Sequence, residues 1–269
     1  MCFSKNTIAQ EQIKIQEKYT AHNKGKFFVS WGGNRESYSK SDITFKGKDY
    51  NFTLDNVKAH DKPKGWHIDY VNPARMTIPQ TNFKMGYFVN DQYSVAIGVD
   101  HMKYVMGQNQ TVNMTGSIAA NTPFDGVYDK VPTVMTEDFL KFEHTDGLNY
   151  INTEFSRHDD ISSLFKITDT DKIQVNLTEG VGFGVLYPKT NTTLLGKERH
   201  DEFHVSGFGT SLKAGLNITF FKHFYIQGEL KGGYINMQDI RTTQSSEDSA
   251  SQDFFFFQRI IAFGGIFKI

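Results

Sequence analysis

The chain of 269 residues has one cysteine, Cys2, and six prolines. A lone cysteine excludes an internal disulfide framework, and with only Met1 before it Cys2 is not placed as a processed lipoprotein cysteine. Neither sign of charge dominates: 29 basic and 30 acidic residues leave a formal net charge of -1, so nothing in the overall charge favours a nucleic-acid partner. No window holds the ~18 consecutive apolar residues of a spanning helix. With 38% hydrophobic residues and a mean hydropathy of -0.46, a helical membrane protein is excluded. Glycine-rich phosphate loops, Rossmann turns and nucleophile elbows are missing too, so the chain carries no soluble-enzyme signature and no cofactor motif.

What the chain does have is aromatics, 14% of residues with 24 Phe and 12 Tyr, beside 23 Gly. That balance favours strands linked by flexible turns. Apolar residues recur at period two, which puts them on one face of a strand. Phe83, Met85, Tyr87 and Val89 alternate with Asn82, Lys84, Gly86 and Phe88. Tyr93, Val95, Ile97 and Val99 alternate with Ser94, Ala96, Gly98 and Asp100. The same rhythm returns over 173–185, 211–220 and 224–234, and an aromatic run fills 252–269.

Register tests these assignments, because a hairpin must keep both apolar sets on one face. Pairing Val89 with Tyr93 sets Tyr87 against Val95, Met85 against Ile97 and Asn82 against Asp100. Pairing Phe220 with Phe224 sets Ile218 against Ile226 and Leu216 against Gly228. These two connections are tight, whereas 107–136, 188–201 and 239–251 are long and polar, which is the loop asymmetry of a barrel in an outer membrane. All six prolines lie outside these strands. Tyr87, Tyr93, Phe220, Phe221, Phe224 and Phe267 crowd the tight-turn end as an expected interfacial girdle.

Through its alternating strands, its short-turn and long-loop rhythm and its aromatic final strand, the chain resembles the small outer-membrane β-barrel proteins of Gram-negative bacteria over roughly residues 25–269. The resemblance implies an all-β, closed, antiparallel up-and-down barrel in the cell outer membrane, with membrane lipid and the barrel-assembly machinery as partners and no nucleic acid. About eight strands are expected, ten if 42–54 or 111–118 also span; otherwise 42–54 forms a hairpin in the first external loop. Ile269 stands where many such barrels have a terminal Phe. Residues 1–9, ending in the small-x-small pattern of Thr7, Ile8 and Ala9, read as the remnant of an export signal, and 10–24 as a periplasmic extension of the barrel domain 25–269.

A barrel of about eight strands is filled by its own side chains. Lys84, Asp100, Lys213, Glu229 and Lys231 fall on the polar set and are expected to form an ion-paired plug, the alternative being a porin-like narrow path for ions or an unidentified small molecule. Glu202, His204 and Ser206 alternate on what reads as a strand continuous with Leu212 and Leu216. The His-x-Ser arrangement is similar to that of the lipid A deacylases, which implies His204 as base and Ser206 as nucleophile, although Gly207 stands where that family has asparagine and Glu202 is poorly spaced to orient His204. Glu143, His144 and Asp146, and His158, Asp159 and Asp160, have no spacing tied to a metal geometry and read as solvated or lumen charge. The role expected is non-enzymatic: structural, surface-displaying or a narrow conduit. A soluble lipocalin-like binder is the further alternative, and it would turn the apolar set inward.

Overall fold

The computed structural model describes residues 22–65 and 80–269. The expected export-signal remnant and most of the N-terminal extension lie outside them. Eight strands form the wall: β1 (Phe27–Tyr38), β5 (Thr81–Phe88), β6 (Tyr93–Met106), β9 (Leu140–Asp160), β10 (Ile173–Leu186), β12 (Gly207–Phe220), β13 (Phe224–Arg241) and β14 (Ser249–Phe267). Each pairs antiparallel with the next in this order, and β14 returns through its residues 256–267 to pair with the whole length of β1. Starting at Phe263 and following Cα partners through Trp31, Phe83, Val99, Ile151, Val185, Phe208 and Asn236 leads back to β14 at Asp253. The ring therefore closes with a stagger of ten residues (263 minus 253), which tilts every strand. Both hairpins have the registers expected of them, Tyr87 against Val95 and Ile218 against Ile226 among them.

Side-chain direction separates the wall into two storeys. Toward the tight turns the outward set is apolar and bare, with Ile97 62% exposed, Leu212 68% and Ile261 60%, while Asp100 on the strand of Ile97, and Lys84 and Glu229 on other strands of the wall, are buried inside. That is the opposite of a lipocalin, and it places this storey in lipid. Further along each strand the two faces exchange character. On β6 the inward set runs Ser94, Ala96, Gly98, Asp100 and then Met102, Tyr104, Met106, while the outward set runs Val95, Ile97, Val99 and then His101 and Lys103. On β13 the inward residues change from Glu229 and Lys231 to Ile235 and Met237. The exchange marks where the wall leaves lipid for water. Many of the 23 glycines belong to the inward set and not to turns: a Cβ on Gly180 would meet the stem of Lys213 at 2.9 Å.

The upper storey is a folded cap. Residues 42–54 and 111–118 do not span the membrane; they belong to β2 (Ser41–Lys46), β3 (Tyr50–Val57) and β7 (Thr111–Ile118), which with β8 (Gly126–Val134) continue from the first residues of β14 as a projecting sheet. A two-residue strand, β4 (Ala59–His60), pairs with β6, and β11 (Asn191–Leu194) with β9. Pro132 sits in β8, the free edge of the sheet, where a missing N–H costs no ladder bond. Ile43, Phe45, Phe52 and Leu54 turn inward onto Tyr104, Phe139, Phe142 and Phe254, which are fully buried. The rings interlock, Phe45 lying 5.4 Å from Phe142 edge to face and Tyr104 5.1 Å from Phe254.

His144 is part of this core, between the rings of Phe142 and Tyr104. Its Nδ1 lies 3.0 Å from the Thr190 hydroxyl, and Gln252 Nε2 donates to its Nε2 at 3.1 Å, an arrangement that requires Nε2 to be unprotonated. Burial pushes its pKa down to about 3. A histidine whose folded pKa lies below its unfolded value of about 6.5 favours the fold fully above that unfolded value. The contribution is lost as pH falls from about 6.5 toward about 3. Limited proteolysis at about pH 4.5 should therefore cut the cap faster than at neutral pH, by an opening equilibrium shifted on the order of 2 kcal/mol, and His144→Gln should remove most of the difference. A separate test addresses the wall. Leu216→Arg or Ile226→Arg should reduce the fraction of heat-modifiable barrel on gels, at about 2–4 kcal/mol each, whereas Asn217→Arg, on the lumen side, should assemble nearly normally.

Candidate functional site

The lumen of the lower storey holds charges that the wall cannot satisfy locally. Lys213 and Lys231 are Cα partners on β12 and β13, both facing inward, so their ammonium groups would repel if left alone. Glu154 resolves this from β9, two strands from β12 and three from β13 around the ring. One of its carboxylate oxygens, Oε2, lies 2.6 Å from Lys213 Nζ and 2.9 Å from Lys84 Nζ, and Oε1 lies 2.6 Å from Lys231 Nζ. Lys84 also donates to Glu229 at 2.9 Å, and Lys213 lies 3.4 Å from the same carboxylate. Lys231 reaches Asp100 at 2.6 Å, and Asn82 and Asn152 donate to the two oxygens of that aspartate. Three ammonium groups thus face three carboxylates, all buried. An uncompensated charge would be costly there, and each group here has at least two partners.

The structure brings together all five residues read from the sequence and adds Glu154. Within the network Lys84 pairs with Glu154 and Glu229, while Asp100 is held by Lys231 and two amides. The signal for Glu154 was present in the alternation of Ile151, Thr153 and Phe155 with Asn152, Glu154 and Ser156, but Thr153 weakens the apolar set. Space in the lumen is small. A cavity of about 40 Å³ lies on the tight-turn side of the network, enough for a few waters. Below it Phe28, Phe88, Tyr225 and Ile266 pack as an apolar cluster, and above the network the cap core begins. The ion network thus lies between this cluster and the cap core.

The second set of sequence candidates is placed differently. Residues 202–206 precede β12 as irregular chain, joined to 186–189 by hydrogen bonds to the Leu186 and Pro188 carbonyls. Ser206 is buried and its hydroxyl donates to the main-chain carbonyl of His204 at 3.3 Å, while the imidazole Nε2 lies 2.8 Å from Asp239 Oδ2. Serine and imidazole therefore use different partners, and Glu202 is exposed. The acidic and histidine runs are likewise dispersed: Glu143 pairs with Lys62 and Lys141 while His144 points into the cap core. His158 meets Ser94, Asp159 meets Arg157, and Asp160 meets Gln174. Among the described residues no three such side chains converge on a metal position.

No protein-family description and no curated protein matches the chain. Among solved structures it is similar to the outer membrane protein OprG from Pseudomonas aeruginosa, at 12% identity over 92% of this chain and 98% of that one, with a TM-score of 0.39. It is also similar to the N-terminal β-barrel domain of P. aeruginosa OprF (9%, 91% and 98%, TM-score 0.32) and to Ail, the attachment invasion locus protein of Yersinia pestis (9%, 91% and 99%, TM-score 0.31). The fold is that of a small outer-membrane β-barrel, a placement carried by its own closed ring and outward apolar band.

The network makes a stability prediction. Glu154→Gln leaves three ammonium groups with two carboxylates, and thermal unfolding in detergent should show a loss of about 3–5 kcal/mol, the range for breaking a buried ion pair. Asp159→Asn, which removes a rim carboxylate, should change little.

Proposed function

We propose that this outer-membrane β-barrel is a non-conducting structural and display barrel, whose lumen exists to anchor a folded external cap. The observation that carries this reading is the layered filling of the lumen: an apolar floor, a neutral network of three lysines and three carboxylates, and an aromatic ceiling continuous with the cap. A hydrated path would need to break both the ceiling and the ion pairs. The charges serve one another, and the 40 Å³ cavity holds solvent that fills residual space. Closure of β1 onto β14 makes the barrel-assembly machinery the expected partner in biogenesis, since the two strands that form the seam are the first and last among the described residues.

Planar-bilayer recording of purified protein tests the proposal. Wild type and Glu229→Gln should both show conductance near the bilayer baseline, with the variant melting at lower temperature because Lys84 and Lys213 lose a shared carboxylate. Reproducible wild-type channels, shifted toward anion preference in Glu229→Gln, would establish a conduit and end the structural reading.

A further inference from the structure

The projecting sheet of the cap forks. β3 and β7 pair from Tyr50 with Ile118 to Leu54 with Met114, and there the ladder stops, although β3 runs on to Val57 and β7 reaches back to Thr111. Each arm keeps its other neighbour: Ser41 still pairs with Val57, and Thr111 with Val134. The cause is an extra residue in β3. Between the pair Ile43 and Leu54 and the pair Ser41 and Val57, the single residue Asp42 faces both Asp55 and Asn56, and Asn56 takes a φ of 55°. A bulge of this kind bends its strand and breaks the ladder locally. The Asp42 carboxylate fixes it by accepting from the Asn56 main-chain N–H at 2.7 Å.

Beyond the split the two arms are clasped together again. Gln110 accepts from the Lys58 N–H through Oε1 at 2.9 Å, and its Nε2 donates to the carbonyls of Lys58 at 2.9 Å and Gly107 at 2.7 Å. Between the split and the clasp lies a cleft of about 410 Å³, within the range of roughly 300–1,000 Å³ for small-ligand sites. Lys40, Asp55, Asn56, Lys58, Thr111 and Asn113 line it, and among the described residues none of their side chains makes a hydrogen bond or ion pair. The main chain that carries them is held by ladder, bulge and clasp, so these groups stand on a rigid frame with their polar ends unspent. Val112 is the one apolar side chain of the lining, and a hydrophobic ligand would find little to bury against.

We propose that this cleft binds an acidic monosaccharide unit, a sugar ring bearing a carboxylate. Lys40 precedes Ser41 as Lys58 follows Val57, so both ammonium stems leave the same end of the β2–β3 pair, and two cations against the single carboxylate of Asp55 leave an excess of positive charge. That excess takes the carboxylate of the sugar through charge-assisted hydrogen bonds. Asp55 accepts from ring hydroxyls, while Asn56, Asn113 and Thr111 can both donate to them and accept from them, as a polyol requires. The bulge and the clasp thereby acquire a purpose: they hold open a gap that five further residues of ladder would otherwise have begun to close.

The site gives the display reading a ligand and rests on it for a cap that faces the medium. Wild-type protein in detergent micelles, first shown to be folded by heat-modifiability, is titrated with D-glucuronate and with D-glucose, and binding is read by saturation-transfer difference NMR on the sugars. Glucuronate should bind with a Kd on the order of millimolar, about tenfold or more tightly than glucose, as expected of a small site with one charge-assisted contact. The double variant Lys40→Gln/Lys58→Gln should bring glucuronate down to the level of glucose, and Asn113→Ala should weaken both sugars alike. Lys48→Gln, at the tip of the β2–β3 hairpin, should change neither. Absence of glucuronate binding to folded wild type, or equal binding of the acid and the neutral sugar, would overturn the proposal, and so would an unchanged preference in the folded double variant. Inorganic phosphate should compete poorly; displacement of glucuronate at equal concentration would make the cleft a plain anion site and refute the sugar assignment. Loss of binding with a silent bilayer refutes the cleft alone, whereas channels with sugar binding intact support the cleft and refute the display reading.

Discussion

A side chain on a β-strand has two directions to point, and every strand of this wall must use them in two different surroundings. In the bilayer the outward direction meets hydrocarbon and the inward one meets the other strands' polar groups; beyond it the outward direction meets water. The chain satisfies both without breaking the strands, by exchanging which set is apolar near Asp100 and Met102 on β6 and near Lys231 and Ile235 on β13. The buried ion network, the aromatic ceiling and the projecting sheet all follow from that exchange. Where the inward set is polar it needs counter-charges, and where it becomes apolar it needs a roof.

Glu154 shows how few groups complete the lower storey. Lys213 and Lys231 face one another because their strands are neighbours, and Glu229 on β13 pairs with Lys213 alone of the two. Joint relief comes from β9, two strands from β12 around the ring, and Lys231 also meets Asp100 on β6, four strands from its own, so the network is a set of struts across the lumen and not a ladder along its wall. Narrowness of the ring makes this reach feasible, and glycines such as Gly98 and Gly180 leave room for the lysine stems.

Much of this was legible in the amino-acid order, and the limits were physical. The hairpins around Asn90 and Lys222 could be aligned residue by residue because their lipid-facing sets are uninterrupted. Glu154 was missed because β9 is long, shifts register opposite Met102 and Tyr104, and carries Thr153 within its outward set. The cap was read as polar loops because alternation that changes face partway averages out over a window, and its strands reveal themselves only by packing on Phe142 and Phe254. Residues 202–206 alternate like a strand, yet their backbone bonds go to Leu186 at the end of β10, to Pro188 beyond it and to Gln238 and Asp239 on β13, which period two cannot foresee. The outward Glu179, set opposite Arg157, is a further break in a pattern that assumes a purely apolar exterior.

β14 belongs to two sheets at once. Its residues from 253 onward complete the wall between β13 and β1, and Ser249, Ala250, Ser251 and Gln252 hold β2 and with it the whole projecting sheet. It is also the last strand to emerge in synthesis order among those described. The cap's attachment therefore has to wait for the same event that seals the ring, which makes an ordered exterior a certificate of a finished interior. A quality-control protease that samples the external loops would in effect be reading whether the seam inside the membrane has closed.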